Sequence, residues 1–76
     1  MSPGAPVLVY TRAGCPHCDA ARADLTARGV AFRVIDIGRQ PEAIPELLKL
    51  TRGRRVVPVI VDRGRIEVAP AGGTSF

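Results

Sequence analysis

Apolar positions follow two rhythms along this chain. Near the start, "VLVY" (Val7–Tyr10) is an unbroken apolar run closed by the polar, glycine-bearing "TRAG". A short run of that kind predicts a strand buried on both faces. From Pro16 the rhythm lengthens. In "PHCDAARADLTAR", Cys18, Ala21 and Leu25 recur on one helical face, while Asp24 and Arg28 form an outward i,i+4 pair. Pro16 suits the first helical position, where its missing N–H would have no partner, and Gly29 supplies the stop. Then "VAFRVIDI" returns to the β-branched and aromatic bias of a second strand.

The next segment, "GRQPEAIPELLKLTRG", predicts a helix from about Glu42 or Pro45 to Thr51, closed by Gly53. Its apolar positions are Ile44, Leu47, Leu48 and Leu50, and Pro45 belongs in a first turn, not an interior. "VVPVIV" (Val56–Val61) and "IEVA" read as two strands joined by a tight turn at Asp62–Gly64, with "PAGGTSF" a turn and tail. Residues 1–6, rich in Pro and Gly, read as a flexible leader, and 7–76 as one domain. The order is β-α-β-α-β-β. Its first half is a βαβ unit with parallel strands and a right-handed crossover, and the hairpin completes a four-stranded mixed sheet under helices.

Size and charge narrow the function. A chain of 76 residues buries only about 60% of its unfolded surface, so stability is modest. With no Trp and three aromatics, the core is built from Val, Ile, Leu and Ala. Eleven basic residues against seven acidic give +4, and all but Lys49 are arginine. The only basic cluster, Arg52, Arg54 and Arg55, lacks interleaved stacking aromatics, so nucleic acid is not an expected partner. Anionic small molecules fit the charge better. No apolar stretch approaches the ~18–20 residues of a membrane span, and the first residues lack a signal-peptide pattern. A cytoplasmic protein is expected. In that reducing compartment two cysteines point to catalysis or metal binding sooner than to a structural staple.

Both cysteines lie in "AGCPHCDA", three positions apart. With the helix starting at Pro16, Cys15 occupies the N-cap, where free backbone N–H groups and the helix dipole favour its thiolate. Cys18 falls one turn in, beneath Cys15. Cys15 is therefore the expected nucleophile and Cys18 the resolving thiol. His17, beside the reacting sulfur, is expected to stabilise the thiolate further when protonated, against the plain alternative of an inert surface histidine. A metal site is not expected: one Cys pair supplies two ligands where structural zinc takes four, so a second chain would be needed. Two inert buried cysteines are the remaining alternative.

At these residues the chain resembles the glutaredoxin family of the thioredoxin-like fold, over about Val7 to Thr74. "VYTRAGCPHC" is similar to the family's first strand, basic residue and CPxC motif. "GVAFRVIDI" is similar to its second strand, "LTRGRRVVPVIV" to its stretch ending in Thr-Val-Pro, and "AGG" to its Gly-Gly after the last strand. The resemblance implies a cis-proline at Pro58 facing the active-site disulfide, against the alternative of an ordinary edge-strand proline. It implies that the Val57 backbone pairs with the peptide of a bound thiol substrate. Arg12 then stands where a family lysine contacts the glycine carboxylate of glutathione. Gly72, Gly73 and Thr74 fall at the other end of that ligand. The chain departs from the family at Val56, in place of Thr, and at Thr74, Ser75 and Phe76, where a carboxylate usually follows. The family's last helix has no counterpart in the sequence, so exposed apolar surface and a possible homodimer are expected.

The implied function is thiol–disulfide exchange on protein disulfides or glutathione mixed disulfides. The Pro16-containing motif reacts, glutathione serves as co-substrate, and glutathione or a thioredoxin-reductase-type donor restores the dithiol. No tightly bound cofactor is expected. Two alternatives stand beside it: a dimeric, glutathione-assisted iron–sulfur carrier, and a non-catalytic interaction domain.

Overall fold

Successive residues of a strand point to opposite faces, and the first strand of this chain uses both. The computed structural model describes residues 7–76, so the predicted leader at 1–6 lies outside the described residues. Strand β1 (Val7–Thr11) is followed by helix α1 (Pro16–Ala27), β2 (Phe32–Asp36), a single 3₁₀ turn (Pro41–Ala43) and α2 (Ile44–Thr51). Then come β3 (Val56–Val57), β4 (Val59–Asp62), β5 (Arg65–Val68) and β6 (Thr74–Ser75). The main sheet has the order β2-β1-β4-β5, with β1 parallel to β2 and antiparallel to β4. The βαβ unit and the four-stranded mixed sheet are thus as the sequence predicts.

Strand alternation feeds two cores. Val7 and Val9 of β1 and Ile60 of β4 meet Leu25, Ala21, Val30 and Phe32 on the α1 side. Tyr10 and Val59, with Leu8 and Val61 around them, meet Leu47, Ile44, Leu48 and Leu50 of α2 on the other side. β1 is covered on both faces, which is why it reads as an unbroken apolar run. Cys18 leaves the line of Ala21 and Leu25: it lies in the α2-side cluster together with Cys15, where the first turn of α1 passes the end of the sheet.

The sequence reading is corrected in two places. Val56–Val61 is not one strand. The Val57–Pro58 peptide is cis, and proline has no N–H for a ladder, so the run divides into β3 and β4 at Pro58. The supposed tail is also structured: β6 pairs antiparallel with β3, Val57 opposite Thr74 and Val56 opposite Ser75, in a separate two-stranded sheet. The uncertain start of the second helix resolves into the 3₁₀ turn and α2, with Pro41 and Pro45 both in opening positions. The hairpin turn works because Arg63 and Gly64 both adopt positive φ, as a two-residue turn between twisted strands requires.

Leu47 is fully buried between α2 and the sheet, a burial that stabilises the domain by about 1.5–3 kcal/mol. Leu47→Ala is expected to lower stability by about 2–5 kcal/mol, the usual cost of a cavity at such a site. Urea unfolding followed by circular dichroism measures it. Ile66→Ala, at an exposed edge position, is expected to cost far less.

Candidate active site

The local sequence around Cys15 makes a sulfur serve as a helix cap. Gly14 turns the chain with φ of +77°, a conformation that side-chain-bearing residues rarely adopt. Cys15 follows in extended backbone (φ −102°, ψ 107°), and Pro16 opens α1. The N–H of Cys18 then donates to Cys15 Sγ at 3.2 Å. This is the geometry in which Ser or Asp usually caps a helix, here performed by a thiol. The predicted N-cap position of Cys15 is what the structure shows.

Both cysteines are free and nearly inaccessible, at 2% and 1% exposure. Their acidities nonetheless diverge. At Cys15, burial works against the charged form, but it is outweighed by hydrogen bonds shared with the Cys18 thiol and the Thr74 hydroxyl and by those accepted from the backbone N–H groups of Cys18 and His17, and the thiol falls below its ordinary value. At Cys18 burial dominates. Its hydrogen bond to Cys15 and the nearby Cys15 charge add to it, so the thiol is pushed up to about 12 despite the Arg12 backbone N–H and the Arg22 charge. One sulfur is thus prepared to ionise and its neighbour to keep its proton.

The second half of the site comes from β3, β6 and the loop between β5 and β6. Thr74 Oγ1 lies 3.3 Å from Cys15 Sγ, accepting from the thiol. Pro58 and Val57 are fully buried, and Val57 sits in the same cluster as the two cysteines. The Val57 carbonyl closes on the chain at Gly73: a Cβ added there would meet it at 2.6 Å, so only glycine fits. At Gly72 a Cβ would approach the His17 ring at 3.0 Å, which places the imidazole over the Gly72 backbone. An open groove of about 580 Å³ starts at His17, Pro58 and Gly72 and runs along α1 past Ala21 to Arg28. The exposed ion pair expected between Asp24 and Arg28 is present at 3.0 Å on its border.

The structure therefore gathers Cys15, Cys18, Pro16, His17, Val57, Pro58, Gly72, Gly73 and Thr74 around one end of α1. Arg12 lies just beyond β1, exposed, and its side chain makes no ion pair with a described residue. Among the described residues no group of three or more His, Cys, Asp and Glu side chains is placed to hold a metal. The direct contact of Thr74 with the Cys15 sulfur is the feature that sequence reasoning misses. The tight Gly-Gly before it is visible in the sequence, but the strand pairing that aims its hydroxyl is not.

Comparison with known proteins agrees with this geometry. The Glutaredoxin family model matches residues 7–66. The Gene 56 protein of Mycobacterium phage L5 is 38% identical over 58 residues, 76% of this chain and 56% of that protein. Glutaredoxin 3 of Escherichia coli K12 is 38% identical over 54 residues, 71% of this chain and 64% of that protein. This chain thus spans less than two thirds of the length of either relative. The crystal structure of the glutaredoxin (grx-1) from Archaeoglobus fulgidus superposes with a TM-score of 0.77 and 28% identity, covering 96% of this chain and 79% of that one. The fold is thioredoxin-like, the two cysteines lie together at the start of α1, and the chain belongs to the glutaredoxin family.

Proposed function

We propose that this chain is a dithiol oxidoreductase in which Cys15 attacks and Cys18 resolves. The supporting observation is the divergence of two adjacent buried thiols: Cys15 caps α1 and its pKa is lowered, whereas that of Cys18 is pushed up to about 12. A nucleophile must be a thiolate at ambient pH, and a resolving thiol is best kept neutral until the first bond has formed.

The steps balance as follows. Cys15 gives its proton to solvent and its thiolate attacks one sulfur of the substrate disulfide, forming a mixed disulfide and releasing the other sulfur as a thiolate. That thiolate takes up a proton. Cys18 Sγ, one helical turn from Cys15, loses its proton and attacks Cys15 Sγ. The Cys15–Cys18 bond forms, the substrate's second sulfur leaves and is protonated, and two electrons have passed to the substrate. Cys18 becomes the stronger attacker at this stage because the anionic Cys15, which raises it, is gone. Two glutathione thiols, or a thioredoxin-reductase-type donor, return the two electrons.

Glutathione mixed disulfides and protein disulfides are the proposed substrates, in a reducing cytoplasm. Arg12 offers a forked guanidinium for a carboxylate such as that of glutathione. His17, Pro58 and Gly72 form the mouth of the groove that receives the substrate chain. At His17, the contribution visible in the structure is its backbone N–H toward Cys15, with the ring over Gly72.

Reduction of a glutathione mixed disulfide, followed by coupled oxidation of NADPH through glutathione reductase, is expected for the wild type and absent in Cys15→Ser. Cys18→Ser is expected to keep the glutathione-adduct route and lose reduction of protein disulfides. Full activity of Cys15→Ser would overturn the assignment.

Alkylation gives the pH dependence. Ionisation of Cys15 lies below the ordinary thiol value, so one thiol per chain is expected to react with iodoacetamide at about pH 8. With Cys15 alkylated its charge is gone, but burial still favours the protonated Cys18, which is expected to stay unlabelled at that pH and to react only in more alkaline solution. Mass spectrometry of the quenched protein counts and locates the labels.

A further inference from the structure

Thr74 reaches the nucleophile by a route that several residues build. β6 pairs with β3, setting Thr74 opposite Val57. Gly73, just before it, lets the chain close on the Val57 carbonyl, a place with no room for a Cβ. Beyond it, the Phe76 N–H donates to the Arg55 carbonyl at 3.2 Å, the Phe76 ring packs against the α2-side core, and the Arg55 guanidinium lies 5.8 Å from the centre of that ring. A backbone ladder, a forced close approach and an anchored aromatic thus fix one hydroxyl 3.3 Å from one sulfur. Among the described side chains it is, with Cys18, one of two that hydrogen-bond Cys15.

We propose that Thr74 is a positioning residue for the redox reaction: its hydroxyl holds the Cys15 sulfur and sets the balance between the dithiol and disulfide forms. This rests on Cys15 being the reacting thiol of the proposed function, and it gives Thr74 a role toward the protein's own sulfur beside the one implied toward glutathione.

The physical basis is a hydroxyl that can reverse its bond. With Cys15 protonated, the thiol donates and Thr74 Oγ1 accepts. When the proton leaves to solvent, the hydroxyl rotates about its C–O bond and donates to the thiolate. Hydrogen bonds to an ionised group are stronger than neutral ones, so the reversal favours the anion. In the Cys15–Cys18 disulfide the sulfur carries no charge and accepts only weakly. The bond therefore stabilises the reduced form selectively, which makes the disulfide the better oxidant.

The test compares Thr74→Val, which keeps the shape and removes the hydroxyl, with Thr74→Ser, which keeps the hydroxyl. In Thr74→Val the Cys15 thiolate midpoint, read by absorbance near 240 nm, is expected to rise by about one unit, the scale of a lost hydrogen bond to a charged group. Equilibration with defined glutathione buffers, above that midpoint, is expected to show the Cys15–Cys18 disulfide about tenfold more favoured than in the wild type. Thr74→Ser is expected to restore most of both shifts. A folded Thr74→Val with the wild-type midpoint and equilibrium overturns the proposal, as does an equal shift in Thr74→Ser, which would trace the effect to packing. The midpoint titration needs no substrate. Absence of disulfide exchange by the wild type would instead overturn the proposed function while leaving this measurement readable.

Discussion

A backbone N–H group at the start of a helix needs an acceptor, and in this protein a sulfur supplies it. Cys15 Sγ accepts from the Cys18 N–H at 3.2 Å and so completes the first turn of α1. The same contact stabilises negative charge on that sulfur. Structure and chemistry thus share one interaction. Gly14 turns the chain into the cap with positive φ, Pro16 starts the helix where an N–H is dispensable, and the packing of Leu25 and Ala21 on β1 and β4 fixes the roll of the helix. With that roll fixed, Cys18 falls beneath Cys15 and nowhere else.

The divergence of two thiols three residues apart follows from counting donors. Both sulfurs are almost inaccessible to solvent, so desolvation raises both. Cys15 has four compensating hydrogen bonds, and they win. Cys18 has the Arg12 backbone N–H and the Arg22 charge, against a hydrogen bond and a neighbouring charge that favour its protonated form, and burial wins. The two thiols are distinguished by position on the helix, with identical covalent chemistry. The small domain supports this with two modest cores, one on each face of the sheet, built from aliphatic residues around Val9 and Leu47.

Legibility in the sequence tracked how local the determining physics is. β1 was readable because both its faces are covered, α1 because Pro16 and Gly29 bracket it, and the β4–β5 hairpin because its turn demands positive φ near Gly64. The cap at Cys15 was readable for the same reason: it depends on four consecutive residues. The division of Val56–Val61 at Pro58 was obscured by continuous apolar character. β6 was hidden because two residues carry no periodicity, and its existence depends on Gly73 meeting the Val57 carbonyl from far along the chain. The Thr74–Cys15 contact, 59 positions apart, inherits that invisibility.

The account turns on Cys15 being acidic while Cys18 is not, and the most direct measurement is a site-resolved titration of the reduced protein. Carbon-13 shifts of the two cysteine Cβ atoms, followed with pH, report each sulfur separately. The expected result is a Cys15 midpoint below the ordinary thiol value and a Cys18 resonance that stays in its protonated position until the pH nears 12. Two coincident midpoints at the ordinary value would contradict the account at its root.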